Sequence, residues 1–162
     1  MRIIAIDPGY EKVGVAVLEK KDGKREEVLY SDCLRTSPKM RHSDRVSSIG
    51  GEIKKIIDAY KPEKMAIESL FFSTNQKTVM LVSEARGAII YEGSKNGLEI
   101  IEFTPLQVKI AVTGYGRSEK KQVISMVEKL VSINKKIKHD DEYDAIAVGL
   151  TCFACQNSKQ QK

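Results

Sequence analysis

Short apolar runs and longer helical repeats alternate along the chain, and together they predict its secondary structure. Five apolar runs of strand length cover residues 2–7, about 13–20, about 26–36, 64–68 and 98–103. Apolar residues at helical spacing predict helices over about 43–60, 74–96, 105–112, 118–131 and 140–154. The first three strands are joined by short turns, which is typical of an antiparallel meander. This order predicts an α/β fold, with a mixed five-stranded sheet and helices on both faces.

The length and composition suit a single globular domain. The chain has 162 residues, of which 41% are hydrophobic and 30% are charged. A chain of this length buries about two thirds of its unfolded surface in one core. Because residues 156–162 contain no apolar side chain, we expect one domain over residues 1–155 and a disordered tail after it.

Four acidic residues stand at the ends of apolar runs. Asp7 and Glu68 close the first and fourth predicted strands, and Asp141 and Asp144 lie three residues apart at the start of the last helix. Element ends that meet at one sheet edge would bring these carboxylates together, where they repel one another unless protonated or bound to a divalent cation. The pattern favours a metal site. The structural alternatives are an ordinary Asp-Pro-Gly turn and Asp residues that offset a helix dipole.

Positive charge is concentrated in one part of the chain. The net charge is +5 overall, whereas residues 104–138 alone contain eight basic residues against two acidic ones, a local balance of +6. A basic segment beside an acidic cluster suits a polyanionic substrate whose phosphate must be attracted to the site. The alternative is a solvated lysine face.

The chain start and the cysteines bear on the cellular compartment. Met1-Arg2-Ile3 enters a strand at once, and the longest nearly apolar stretch, residues 145–155, is too short to span a bilayer. We therefore expect a cytoplasmic protein without a membrane partner. Cys33, Cys152 and Cys155 are odd in number and lie in apolar surroundings, so we expect buried thiols; a zinc or redox role for the C-x-x-C pair is the alternative.

Four segments, taken together and in order, resemble the signatures of one family. They are Ile4-Ala5-Ile6-Asp7-Pro8-Gly9, Ala66-Ile67-Glu68-Ser69-Leu70-Phe71-Phe72, Glu84-Ala85-Arg86-Gly87 and Asp141-Glu142-Tyr143-Asp144-Ala145-Ile146-Ala147. The chain is similar to RuvC, the bacterial Holliday junction resolvase, from residue 2 to about residue 155. The resemblance implies a ribonuclease H-like fold and a homodimer that cuts four-way junction DNA. It also implies that Asp7, Glu68, Asp141 and Asp144 are the catalytic acids and metal ligands, although some family members carry His in place of Asp141.

The resemblance further implies a cofactor, products and a DNA-binding surface. Two Mg²⁺ ions are implied at the carboxylates, with Mn²⁺ as a substitute, and paired symmetric nicks are implied to leave 5′ phosphate and 3′ hydroxyl ends. The implied DNA contacts are Phe71, Phe72, Asn75, Lys109 and Lys120, with one Phe wedged into the junction. Arg117 and Lys121 are further phosphate-binding candidates from their charge and place alone. A branch-migration helicase complex is the implied partner.

Several alternatives to this interpretation stay open. The family's dimer contact resembles the placement of Ala85, Gly87 and Ala88 on the second predicted helix, but packing onto the chain's own sheet would use small residues in the same way. A related nuclease of the same fold that acts on RNA is one functional alternative, and a DNA-binding module without catalysis is another. An ATPase of the actin and Hsp70 type would need a duplicated fold and a much longer chain.

Overall fold

The central element of the fold is a mixed β-sheet. The computed structural model describes residues 1–70 and 76–160. The strands are β1 (Arg2–Asp7), β2 (Lys12–Glu19), β3 (Glu27–Arg35), β4 (Lys64–Glu68), β5 (Glu99–Phe103) and β6 (Ser132–Ile133). Their order across the sheet is β5-β4-β1-β2-β3-β6. β1, β2 and β3 are antiparallel neighbours, as predicted, whereas β4, β5 and β6 each pair in parallel with a neighbour.

The described residues form six strands, so the prediction of five was wrong in number. β6 contains only two residues, which pair with Glu27 and Val28 of β3. The Ser132 N–H also donates a hydrogen bond to the Glu26 carbonyl oxygen at 2.9 Å. A two-residue strand is too short to show an apolar alternation in sequence, and it exists because the chain passes along the edge of β3.

In the part of the chain that the structure describes, five helices cover the two faces of the sheet, which confirms the predicted α/β class. They are α1 (His42–Tyr60), α2 (Gln76–Lys95), α3 (Pro105–Thr113), α4 (Lys120–Leu130) and α5 (Asp140–Gln160). α1 ends where Lys61 adopts a left-handed conformation with φ of 50°. α3 begins with a capping box formed by Thr104 and Gln107. α5 continues past the end that the sequence predicts near Ala154.

The period-two alternation of the strands divides the core into two layers. Ile4 and Ile6 of β1 pack in the layer shared with α1 and α2. Ile3 and Ala5 pack in the layer shared with α3, α4 and α5. Because successive side chains of a strand point to opposite faces, Asp7 belongs to the same face as Ile3 and Ala5. The carboxylate at the end of β1 is therefore directed toward the α5 side of the sheet.

Small residues let α5 lie close to the sheet. Ala5, Ala16 and Ala66 are buried beneath it, and Gly149 of α5 lies against β1 and β2. A Cβ atom at Gly149 would come within 2.6 Å of Leu18 Cδ1 and 3.2 Å of Ala5 Cβ. The close approach of α5 places its first turn beside the end of β1.

We expect Gly149→Ala to lower the free energy of unfolding by up to about 2 kcal/mol, because overpacking costs about 1–3 kcal/mol and the gain in helix propensity returns about 1 kcal/mol. The matched control is Gly51→Ala in α1, where a Cβ atom would meet nothing within 4 Å and propensity alone should stabilise the helix. Urea unfolding monitored by circular dichroism measures both changes. Equal stabilisation by the two substitutions would contradict the close packing of α5.

The cysteines are free thiols with different exposure. Cys33 and Cys152 are buried, in agreement with the sequence prediction, whereas Cys155 is exposed, so the prediction of burial was wrong for that residue. Cys155 lies three residues after Cys152 on α5 and falls outside the contact with the sheet. Burial raises the pKa of the Cys152 thiol to about 11, which keeps it protonated and unreactive near neutral pH. No helix within residues 1–70 and 76–160 is long and apolar enough to cross a membrane.

Candidate active site

The carboxylate of Asp7 lies at the end of β1, where a tight turn leads into β2. Gly9 makes this turn possible, because a Cβ atom there would lie 1.9 Å from the Lys12 carbonyl oxygen. Asp7 pairs in register with Gly14 of β2. A Cβ atom at Gly14 would lie 2.0 Å from the carbonyl oxygen of Asp141, so Gly14 leaves the space into which the first turn of α5 fits. The Asp-Pro-Gly turn and Gly14 together bring Asp7 next to α5.

Negative charge accumulates around Asp7 and Glu68. Burial, followed by the charges of Asp144, Glu68 and Asp141, raises the pKa of Asp7 to about 8. Glu68 closes β4, the parallel neighbour of β1, and burial together with the charge of Asp144 raises its pKa to about 7. Carboxylates with pKa values near or above neutrality are buried close to one another and lack sufficient compensating charge. Such a site gains stability when it takes up a proton or a cation.

Asp7, Glu68 and Asp144 line one cavity of about 310 Å³. Its other walls come from α3, α4 and α5, and they include the side chains of Lys109 and Lys120. The lining of the cavity therefore combines three carboxylates with two ammonium groups. This arrangement suits a phosphate ester, whose negative charge lysine side chains can bind.

Lys120 partly neutralises the acidic cluster. Its Nζ donates a hydrogen bond to Asp144 Oδ2 at 2.9 Å and lies 3.6 Å from Asp140 Oδ2. Burial raises the pKa of Asp144, and this ion pair opposes that effect. Within the described ranges, no three acidic, His or Cys side chains are gathered closely enough to form a ready-made cation site. The ammonium group of Lys120 thus supplies positive charge beside Asp144 and Asp140.

Asp141 lies beside the cavity and not in its lining. Its Oδ2 accepts a weak hydrogen bond from Cys33 Sγ at 3.5 Å, and its backbone carbonyl faces Gly14. Asp141 thus differs from Asp7, Glu68 and Asp144 in the direction of its side chain. Its charge still contributes to the raised pKa of Asp7.

The remaining predicted residues fall into two groups. Lys121 follows Lys120 in α4 and lines a second cavity of about 430 Å³ together with Tyr115 and Ser118. Arg117 is exposed in the turn that precedes α4. The predicted DNA contacts at Phe71, Phe72 and Asn75 lie outside the described residues. The roles of all these residues in DNA binding stay predictions.

Sequence reasoning missed Glu142, which is 1% exposed. Burial acts to raise its pKa, but hydrogen bonds from Lys135, Ser31 and the Lys138 backbone outweigh burial and lower the pKa to about 2. In sequence Glu142 is only one of several acidic residues in the first turn of a helix, which is where a helix dipole favours them. A contact with a residue more than a hundred positions away leaves no local signal.

Comparison with known proteins finds relatives over nearly the whole chain. A family model described as "Crossover junction endodeoxyribonuclease RuvC" matches residues 3–152. The protein of that name from Fusobacterium nucleatum is 43% identical over 159 residues, which cover 98% of this chain and 83% of the relative. Its counterpart from Caldicellulosiruptor saccharolyticus is 42% identical over 150 residues, which cover 93% of this chain and 90% of the relative.

Solved structures agree with the sequence matches. Thermus thermophilus RuvC in complex with Holliday junction substrate has a TM-score of 0.91 at 26% identity, and the match covers 98% of this chain and 96% of that chain. The yeast mitochondrial Holliday junction resolvase has a TM-score of 0.70 at 10% identity, over 97% of this chain and 82% of that chain, which shows a shared fold alone. The ribonuclease H-like fold that the sequence resemblance implies is thereby confirmed.

Proposed function

Because this chain belongs to the RuvC family of crossover junction endodeoxyribonucleases, we propose that it resolves four-way Holliday junctions by paired symmetric nicks. The observation that carries the proposal is the shared cavity, in which Asp7, Glu68 and Asp144 face Lys109 and Lys120. Hydrolysis of the DNA phosphodiester there would leave 5′ phosphate and 3′ hydroxyl ends. We also propose that the protein acts in the cytoplasm, as the sequence pattern predicts.

We propose that Asp7, Glu68, Asp141 and Asp144 hold two Mg²⁺ ions, for which Mn²⁺ substitutes. Carboxylate oxygens are the ligands that these hard cations prefer. The raised pKa values of Asp7 and Glu68 fit this assignment, because a bound cation would remove the repulsion that raises them. When bound, the ions would supply an activated water and stabilise the charge that develops on the phosphate.

The chain's own residues would bind and orient the substrate at this site. Lys109 and Lys120 at the cavity wall would attract the scissile phosphate and hold its charged oxygens. The ion pair between Lys120 and Asp144 would exchange for contacts with the phosphate as DNA enters. Arg117 and Lys121, which lie outside this cavity, would hold neighbouring phosphates.

Two nicks on a two-fold substrate require two sites, which a homodimer would supply. The exposed side of α2 supports this part of the proposal, because Met80 and Tyr91 are 66% and 59% exposed and Gly87 between them is open. These positions share one face of a helix. Ala85, by contrast, is fully buried against the chain's own core. A branch-migration helicase complex remains the partner that the family resemblance implies.

The test compares cleavage of a labelled immobile four-way junction, a linear duplex and an RNA–DNA hybrid, each with Mg²⁺. We expect selective, symmetric cutting of the junction, and a loss of roughly 10³-fold or more in Glu68→Gln, because the charged carboxylate is needed at the reacting phosphate. Glu52→Gln is the matched control, since Glu52 lies on α1 and pairs with Lys55. Equal cutting of all three substrates, or full activity in Glu68→Gln, would overturn the proposed function.

A further inference from the structure

Glu142 forms an unusually complete buried network. Its Oε2 accepts hydrogen bonds from Ser31 Oγ at 2.6 Å and from Lys135 Nζ at 2.7 Å. Its Oε1 accepts hydrogen bonds from the backbone N–H groups of Lys138 at 3.0 Å and His139 at 3.2 Å. A buried carboxylate is costly unless its oxygens are fully paired. Here each oxygen has two donors.

The network joins three separate parts of the chain. Ser31 belongs to β3, Lys135, Lys138 and His139 belong to the connection between β6 and α5, and Glu142 belongs to the first turn of α5. The Lys135 ammonium group also donates to the Ser31 carbonyl oxygen. The start of α5 is thereby tied to the sheet and to the segment that leads into it.

Asp141 and Asp144 lie on the same turn of α5 as Glu142. Asp141 contacts Cys33 of β3, two residues along the strand from Ser31 and on the same face. Asp144 lines the cavity together with Asp7 and Glu68. Any rotation or lift of the first turn of α5 would therefore move Asp144 relative to Asp7, and functional groups must be held within about 0.5 Å to act together.

We propose that Glu142 is a positioning residue of the nuclease site, which sets the place of Asp141 and Asp144 relative to Asp7 through its contacts with Ser31, Lys135 and the 138–139 backbone. This inference rests on the proposed function in so far as it assigns the acids to cation binding and cleavage. Glu142 acts through its neighbours and does not itself line the cavity. It therefore affects the cation site and the rate of the chemical step, and leaves the affinity for junction DNA unchanged.

The principal test is Glu142→Gln, which keeps the size of the side chain but replaces one acceptor oxygen with a donor. We expect kcat to fall roughly 10–100-fold and the Kd for Mn²⁺ to rise by a similar factor, which is the usual effect of losing a residue that orients metal ligands. The KM for the junction should stay within about two-fold, because the phosphate-binding lysines are untouched. Circular dichroism at the assay temperature would establish that the variant is folded.

The matched control is Glu128→Gln, because Glu128 accepts a hydrogen bond from Tyr143 at 2.7 Å on the same turn of α5 but lies outside the network. This control should keep wild-type kcat and Mn²⁺ affinity. A double-mutant cycle of Glu142→Gln with Lys135→Gln adds a second criterion. The two substitutions should be strongly non-additive in kcat, since both act on one network.

The outcomes separate the two proposals. If the wild type fails to cut junctions, the proposed function falls, and the Mn²⁺ titration still decides the role of Glu142. Unchanged Mn²⁺ affinity in folded Glu142→Gln, additive effects in the cycle, or a loss confined to junction KM would overturn the positioning role. If Glu142→Gln does not fold, Ser31→Ala removes one arm of the same network and takes its place in the same measurements.

Discussion

Asp7→Asn should stabilise the cation-free protein and at the same time abolish cleavage. The pKa of Asp7 is raised from 3.8 to about 8 in the folded protein, so the folded state binds a proton that the unfolded state has already lost between these values. The stability that comes from this proton is fully present below about pH 4 and is lost as pH rises toward 8. Asparagine carries no charge at any pH, so the variant would keep this stability as pH rises.

The expected gain at pH 8 without divalent cations is about 1–3 kcal/mol, which corresponds to a few degrees in Tm for a chain of this size. At pH 4 the wild type and the variant should be nearly equal, and the difference should grow as pH rises from 4 to 8. Mg²⁺ should stabilise the wild type and remove the difference, because it relieves the same repulsion. Cleavage of the junction should fall roughly 10³-fold or more, because the substitution removes the charge of one of the proposed cation ligands.

Thermal unfolding at pH 4, 6 and 8, with EDTA or with Mg²⁺, measures these effects. The matched control is Asp58→Asn on α1, because hydrogen bonds from Lys54 lower the pKa of Asp58 and its removal should not stabilise the protein at any of these pH values. A decrease in the stability of cation-free Asp7→Asn at pH 8 would show that Asp7 is not under repulsion from its neighbours.

Gly14→Ala should disrupt the proposed active site from a position that carries no functional group. The added Cβ atom would lie 2.0 Å from the Asp141 carbonyl oxygen and 3.2 Å from Asp7 Cβ. Because the clash is with backbone, a change of rotamer does not relieve it, and the first turn of α5 must move away from β2. A displacement of about 1 Å at a catalytic centre costs roughly 10²-fold in rate. We expect a loss of junction cutting of at least this size, together with about 1–3 kcal/mol of unfolding free energy.

Val15→Ala is the control that separates the loss of activity in Gly14→Ala from its loss of stability. Val15 is fully buried in the layer toward α1 and α2, so its truncation should cost a similar amount of stability, about 1–3 kcal/mol, without moving Asp141. Cleavage rates measured well below both unfolding temperatures should then differ sharply between the two variants. Equal rates at equal folded fraction would mean that the approach of α5 to Gly14 does not control activity.

Strand limits and the edge at which the acids meet were predictable from sequence. β1 and β4 have the bounds that the apolar runs predict, because both strands are buried on both faces and end at a charged residue. Asp7 and Glu68 therefore had to lie at the same edge once β1 and β4 were parallel neighbours. Sequence pattern also indicates correctly that helices cover both faces. These features depend on local periodicity, which a single sequence displays.

Side-chain direction and long-range pairing were not predictable in this way. Asp141 and Asp144 share one helix turn, yet Asp141 contacts Cys33 whereas Asp144 lines the cavity, and the difference depends on how closely Gly14 lets α5 approach. Glu142 lies 111 positions from its partner Ser31, so no periodicity connects them. β6 exists only through its edge pairing with β3. Each of these features is set by packing between distant segments.

The small residues of the sheet beneath α5 have a consequence for protein engineering. The sheet residues Ile4, Ile6 and Val15 pack toward α1 and α2. Beneath α5 the small residues Ala5 and Ala16 of the sheet lie beside the larger Ile3 and Leu18. Exchanges among aliphatic residues on the side of α1 and α2 leave α5, the helix that carries Asp144, in place. Larger side chains at the positions beneath α5 would displace it. A thermostable variant for biotechnology is therefore best sought by redesign beneath α1 and α2.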